Sequence, residues 1–71
     1  MQWYELDGIW TAQHDGCILT VDSNCQTYGF TDPKAGVEIE AVLLHCSKGL
    51  HTTHMAKMLC EAAVRAYCGD R

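Results

Sequence analysis

Apolar and polar residues alternate along the first thirty positions, and two Asp-Gly pairs interrupt the alternation. Asp7-Gly8 comes first, and Asp15-Gly16 repeats it eight residues later. Asp-Gly between alternating segments is typical of two-residue hairpin turns, because both turn residues need a positive φ. Ser23-Asn24 is a weaker third turn signal. The pattern predicts short strands over residues 2–6, 9–14, 17–22 and 25–31.

Two-residue turns also predict the register, and therefore the face that each side chain occupies. In this register Trp10 lies opposite Val21, Leu19 opposite Tyr28, and Cys17 opposite Phe30. One face then collects apolar side chains, with Glu5 and Gln26 as its polar members: Trp3, Trp10, Ala12, Cys17, Leu19, Val21, Tyr28 and Phe30. Polar residues dominate the other face, so the sorting indicates a meander with one buried face.

Residues 37–46, VEIEAVLLHC, admit two interpretations. Apolar residues alternate with Glu38 and Glu40, which favours a fifth strand. A helix capped by Asp32, with Pro33 at its first position, is the alternative. The β-branched residues and Gly36 favour the strand, although both interpretations stay open at this point.

The last segment has helical periodicity. We expect a helix that begins at Thr52 or Thr53 and ends at Tyr67 or Cys68, with Gly69 as its stop. Its polar stripe is predicted to hold His54, Lys57, Glu61 and Arg65, and its buried stripe to hold Met55, Leu59, Ala62, Ala63 and Ala66. Cys68 is expected on the exposed side. The fold class is therefore α+β: an antiparallel meander of four to five strands with one C-terminal helix packed on one face, in one domain over residues 1–71.

Charge is divided unevenly along the chain, whose net charge is −4. Met1–Pro33 holds five acidic residues and no Lys or Arg, whereas the remainder is close to neutral. An acidic half repels phosphate and favours a basic partner, so direct nucleic-acid binding is not expected. No apolar run has the length of a membrane span and the N-terminus lacks an apolar signal segment, so we expect a cytoplasmic protein that does not bind membranes.

Histidine and cysteine concentrate in HCSKGLHTTH, which holds His45, Cys46, His51 and His54. Mixed Cys and His ligands suit zinc, with Cys60 as a further donor on the helix. The segment lacks a Cys-x2-Cys knuckle, so surface polar residues around a turn are the first interpretation. A small structural zinc-binding domain with these ligands is the alternative.

Catalytic motifs are missing from the sequence. It contains no glycine-rich phosphate loop, and the Glu38 and Glu40 pair is more simply a solvated strand face. A Cys-His pair would need a cleft to work in, for which a short sheet-plus-helix offers little room. We therefore expect neither enzymatic activity nor a cofactor.

Tight hairpins near the N-terminus, followed by a helix of the form TTHMAKMLCEAA, give this acidic chain a layout that resembles small phage-encoded proteins of the anti-CRISPR type. The resemblance covers size, charge and layout, without a diagnostic motif. It implies an inhibitor that acts in the host bacterial cytoplasm and covers a nucleic-acid-binding surface of a CRISPR effector complex. Anti-CRISPR proteins share no common fold, so no functional residues are carried over.

The predicted partner-binding residues follow instead from the hairpin register. They are the acids Glu5, Asp7, Asp15, Asp22 and Asp32, together with Tyr4, Thr11 and Thr20 on the open face. The expected partner is a basic protein surface. A monomer and a homodimer formed through an edge strand are both left open.

Overall fold

The computed structural model describes residues 1–22, 27–42 and 50–70. Five strands form one antiparallel sheet in the order in which they occur along the chain: β1 (Tyr4–Leu6), β2 (Ile9–His14), β3 (Cys17–Asp22), β4 (Thr27–Asp32) and β5 (Val37–Val42). One helix, α1 (Leu50–Asp70), follows and packs across β3 and β4. The predicted α+β fold is confirmed. Val37–Val42 is a strand, and residues 43–46 lie outside the described residues.

Both Asp-Gly pairs form the predicted turns. Asp7 has φ 54° and Gly8 has φ 82°, and Asp15 and Gly16 have φ 51° and 82°. Two consecutive residues with positive φ define the type I′ turn, whose twist matches that of the flanking strands. The residues of the two turns therefore specify both hairpins locally. The third predicted turn, Ser23-Asn24, lies outside the described residues.

The register between β3 and β4 differs from the predicted one. Leu19 lies opposite Phe30 rather than Tyr28, so the predicted pairing of Cys17 with Phe30 is wrong as well. Four residues separate β3 from β4, whereas the prediction assumed a two-residue turn. The shift is two residues, an even number, so every side chain keeps its predicted face.

The core lies between the sheet and α1. Leu19, Val21 and Phe30 from the sheet are buried, and Ala56, Cys60 and Val64 from the helix are buried against this face. Small helix residues allow the helix axis to approach the sheet closely, while the sheet supplies the bulk.

Both tryptophans lie on the helix face, as predicted, and both are half-buried along its flank. The Trp3 indole N–H donates to Glu61 Oε2 over 2.8 Å. The Lys57 ammonium lies 3.2 Å from the centroid of the Trp10 ring, a cation–π contact. Lys57 and Glu61, predicted as members of a solvated stripe, therefore fix the indoles against α1.

The predicted buried stripe of α1 is wrong. Its members Met55, Leu59, Ala62, Ala63 and Ala66 are all exposed, whereas Thr53, Ala56, Cys60 and Val64 are buried. Apolar or small residues occur around most of this helix, so periodicity alone does not select one face. In the observed orientation of α1, Lys57 and Glu61 contact the indoles of Trp10 and Trp3.

The bounds of α1 also differ from the prediction. The helix begins at Leu50, so Thr53 lies inside it and is not its N-cap. It continues to Asp70, so Gly69 does not end it. Glycine costs a helix about 1 kcal/mol relative to alanine, which does not prevent its inclusion in the last turn.

Asp32 joins three parts of the chain. The Tyr67 hydroxyl donates to Asp32 Oδ2 over 2.7 Å, and the Ala35 N–H donates to Oδ1 over 3.4 Å. The Tyr67 ring also packs on Phe30 at 5.2 Å between centroids. These contacts hold the end of α1 and the β4–β5 turn against β4.

Gly29 is required by the close approach of β4 and β5. A Cβ built at Gly29 would lie 1.9 Å from the Ile39 carbonyl oxygen and 2.9 Å from Glu40 Cα. Both are backbone atoms, which cannot move aside as a flexible side chain can. Any other residue here would displace β5 from its partner strand.

The orientation of α1 predicts opposite outcomes for two truncations. Val64→Ala removes a fully buried side chain and should lower the free energy of unfolding by about 1–3 kcal/mol. Leu59 is 44% exposed, so Leu59→Ala should cost less than about 1 kcal/mol. Urea denaturation followed by circular dichroism measures both. A larger loss for Leu59→Ala would favour the predicted face over the observed one.

Gly29→Ala should destabilise the fold by at least the roughly 1–3 kcal/mol typical of overpacking, because the new methyl group meets the β5 backbone. Gly69→Ala is the matched control, since a Cβ at Gly69 meets no atom within 4 Å. Its effect should stay below about 1 kcal/mol. Chemical denaturation compares the two, and equal effects would contradict the close approach at Gly29.

Candidate functional site

The predicted open face carries Tyr4, Thr11 and Thr20 in one row. Tyr4 pairs with Thr11 across β1 and β2, and Thr11 pairs with Thr20 across β2 and β3. All three project from the side of the sheet opposite α1, because they alternate with the buried residues of their strands. Tyr4 is 63% exposed and Thr20 is exposed, while Thr11 is half-buried.

A depression of about 350 Å³ lies at the β1–β2 end of this row. Its walls are formed by Gln2, Tyr4, Thr11, Ala12 and Gln13. The depression is therefore lined by two side-chain amides, one hydroxyl group and the phenol ring of Tyr4. This arrangement suits a protruding side chain of a partner protein.

Leu6 and Ile9 form the next row of the open face. They pair with each other across the first turn and are 77% and 42% exposed. Ile9 also pairs with Asp22, which places a carboxylate beside the aliphatic residues. Exposed aliphatic side chains next to acids give this end of the face both apolar contact area and negative charge.

The charged side chains that the described strands place on the open face are all acidic. Glu38 and Glu40 lie on it and are exposed, since Glu40 continues the row of Thr20 and Gly29. None of the five strands contains Lys or Arg. Lys34 is the one Lys or Arg of the sequence between residues 4 and 42, and it lies in the turn between β4 and β5.

Four of the five predicted acids lie where a partner can meet them. Asp7 and Asp15 are exposed in the two hairpin turns, and Asp22 is half-buried at the end of β3. Glu5 is exposed on β1, on the helix side of the sheet. Asp32 is different, because it is 2% exposed and accepts a hydrogen bond from Tyr67. The prediction that Asp32 lies on a partner-binding surface is therefore wrong, and its role is structural.

The predicted zinc ligands fall mostly outside the described residues. His45 and Cys46 lie there, and so does the side chain of His51, although its backbone belongs to α1. His54 is exposed on α1. That ligand set stays a prediction. Cys60, the further donor, is fully buried, and its thiol donates to the Gly29 carbonyl oxygen over 2.8 Å.

A different group of metal-binding side chains comes together at the second hairpin turn. Donor atoms of His14, Asp15 and Cys68 all lie within 4.8 Å of one another, and Cys68 Sγ lies 4.0 Å from Cys17 Sγ. Cys68, expected on the exposed side, is half-buried there. The group contains no Cys-x2-Cys pair. Its mark in the sequence is the His-x2-Cys spacing of His14 and Cys17 around the Asp15-Gly16 turn.

Comparison with known proteins gives no match: no protein-family model, curated protein or solved structure corresponds to this chain. Among residues 1–22, 27–42 and 50–70, no helix combines the length and apolar character needed to cross a membrane.

The buried thiol of Cys60 predicts a loss of stability at alkaline pH. Burial raises the pKa of Cys60, and the nearby Glu61 carboxylate raises it further. The unfolded thiol ionises near about pH 8.5, whereas the folded protein retains the proton. The contribution of Cys60 to the free energy of unfolding should therefore be constant below about pH 8.5 and fall as pH rises above it, by up to about 1.4 kcal/mol per pH unit.

Cys60→Ala is the control for this titration, because it removes the ionising group. Urea denaturation between about pH 7 and 10 should give a shallower pH dependence for the variant than for the parent protein. Identical slopes would show that Cys60 does not titrate differently in the folded and unfolded states.

Proposed function

We propose that this protein is a non-enzymatic inhibitor that docks the open face of its sheet on a basic protein surface, in the manner of an anti-CRISPR protein. One observation carries the proposal: exposed apolar residues share this face with carboxylates, and the five strands contain no Lys or Arg. A surface of this kind repels nucleic acid and attracts the proteins that bind it.

The apolar and acidic residues have different roles in this proposal. Tyr4, Leu6 and Ile9 supply apolar contact area. Tyr is enriched among the residues that contribute most of the binding energy at the centre of an interface. Asp22, Glu38 and other acids steer the approach and select a partner of opposite charge. The proposed target is a cationic groove of a CRISPR effector, where carboxylates occupy positions otherwise taken by phosphates.

Occlusion requires no chemistry by the inhibitor. A bound protein blocks the path of DNA or guide RNA by its volume, and its charge lowers the affinity of the groove for phosphate. The strength of inhibition should fall as salt rises, because salt screens exposed charges and largely removes their interaction beyond about 10 Å at 0.1 M ionic strength.

The test is target-DNA cleavage by a panel of purified CRISPR effectors, with and without the protein. Inhibition of at least one effector is expected. Glu40→Lys should weaken it by roughly tenfold or more, because a reversed charge on the docking face opposes a basic surface. Asp70→Lys is the matched control, with the same charge change on the exposed end of α1, and should leave inhibition unchanged.

Circular dichroism of both variants shows that the fold is kept. Cleavage unaffected by the protein across the panel would contradict the anti-CRISPR proposal. Equal loss of inhibition in Glu40→Lys and Asp70→Lys would assign the effect to net charge and contradict the open face as the docking surface.

A further inference from the structure

The second hairpin turn and the last turn of α1 meet on the helix side of the sheet. His14 and Cys17 are directly opposed at the ends of β2 and β3, with only Asp15-Gly16 between them. Cys68 comes from the last turn of the helix, 51 residues away along the chain from Cys17. Four side chains that can bind a metal ion therefore converge from two distant segments.

We propose that His14, Asp15, Cys17 and Cys68 bind one zinc ion. Thiolate, imidazole and carboxylate are the side-chain groups that zinc uses in proteins. Two sulfur donors favour zinc over magnesium or calcium, which prefer oxygen donors alone. This ligand set is distinct from His45, Cys46, His51 and His54, and the site lies on the opposite side of the sheet from the proposed docking face.

Three of the four donor atoms lie close to one another, and the fourth, Cys17 Sγ, lies close to one of them. Zinc bonds of about 2.0–2.3 Å hold the donor atoms roughly 3.3–3.8 Å apart. The two thiol sulfurs are 4.0 Å apart, and the other donor atoms lie within 4.8 Å of each other and of Cys68 Sγ. Cys17 lies outside the group of three whose donor atoms are all within 4.8 Å of one another, so its side chain must turn towards His14 and Asp15 for all four to bind one ion.

The turn itself has the spacing of a zinc-binding knuckle. Two residues separate His14 from Cys17, as two to four residues separate the paired cysteines of structural zinc sites. The type I′ geometry at Asp15-Gly16 places the two flanking residues opposite each other and on the same face. The hairpin therefore presents three of the four ligands, His14, Asp15 and Cys17, on a rigid element.

Burial and charge also favour a cation at this point. Cys17 is fully buried, His14 and Cys68 are half-buried, and Asp15 is exposed, so an ion can enter from the side of Asp15. The last turn of α1 contains no basic residue, and a helix C-terminus carries partial negative charge. That partial charge stabilises a bound cation. Binding transfers both thiol protons to the solvent.

Purified full-length protein, kept reduced and freed of metal, should bind one equivalent of Zn²⁺ in a titration. Co²⁺ used as a spectroscopic substitute should give thiolate charge-transfer absorption and the intense visible bands of a tetrahedral ion. Cys68→Ser and His14→Gln should each lower zinc affinity by more than the roughly 10- to 100-fold that loss of a supporting residue costs. Two independent variants guard against a failure of one of them to fold.

Three control variants locate the site. Cys60→Ala removes a buried thiol outside the group, and Cys46→Ser and His54→Ala remove ligands of the alternative set; all three should keep wild-type zinc affinity. The proposal is overturned if the reduced protein takes up no stoichiometric zinc. A Cys17–Cys68 disulfide in the oxidised protein would not rescue it. It is also overturned if Cys68→Ser binds zinc as the parent does, or if Cys46→Ser abolishes binding while Cys68→Ser keeps it.

Discussion

The contact of α1 with β3 and β4 determines the arrangement of this molecule. Ala56, Cys60 and Val64 are small enough to let the helix settle on Leu19 and Phe30, and all of them are buried. Burial of apolar surface is the main favourable term in folding. The thiol of Cys60, which donates to the Gly29 carbonyl oxygen, adds a polar contact between α1 and β4. The sheet thereby acquires one covered and one open face.

The helix is fixed at both ends of this contact. Towards its N-terminal half, Lys57 and Glu61 engage Trp10 and Trp3. Near its C-terminus the Tyr67 hydroxyl bonds to the buried Asp32 carboxylate. These polar contacts fix the rotation of the helix about its own axis. The apolar contacts alone would permit other rotations, because the helix has apolar or small residues on several sides. The same orientation exposes Met55, Met58 and Leu59.

The orientation of α1 also connects the two proposals. It leaves the face of Tyr4, Thr11 and Thr20 uncovered, and it brings Cys68 to Cys17 at the second hairpin turn. Zinc at that turn would join the helix end to β2 and β3 and stabilise the covered face. The open face would then be presented on a more rigid sheet, without any change in its own residues.

Local sequence determined the strands and the faces of this protein. Asp7-Gly8 and Asp15-Gly16 specify their turns through residues that accept positive φ, and alternation sorts the side chains. For this reason the assignment of Trp3, Trp10 and Leu19 to the helix side was correct, and it survived the two-residue error between β3 and β4. Tyr4, Thr11 and Thr20 were placed on the open face by the same rule.

Only the tertiary structure decided which side of α1 is buried, that Asp32 is a structural carboxylate and that Cys68 meets Cys17. Each depends on contacts between residues more than 30 positions apart, which a local pattern does not encode. A helix with small or apolar residues on several sides has several nearly equivalent ways to pack. The choice among them is made by the shape and the polar groups of the sheet that it covers.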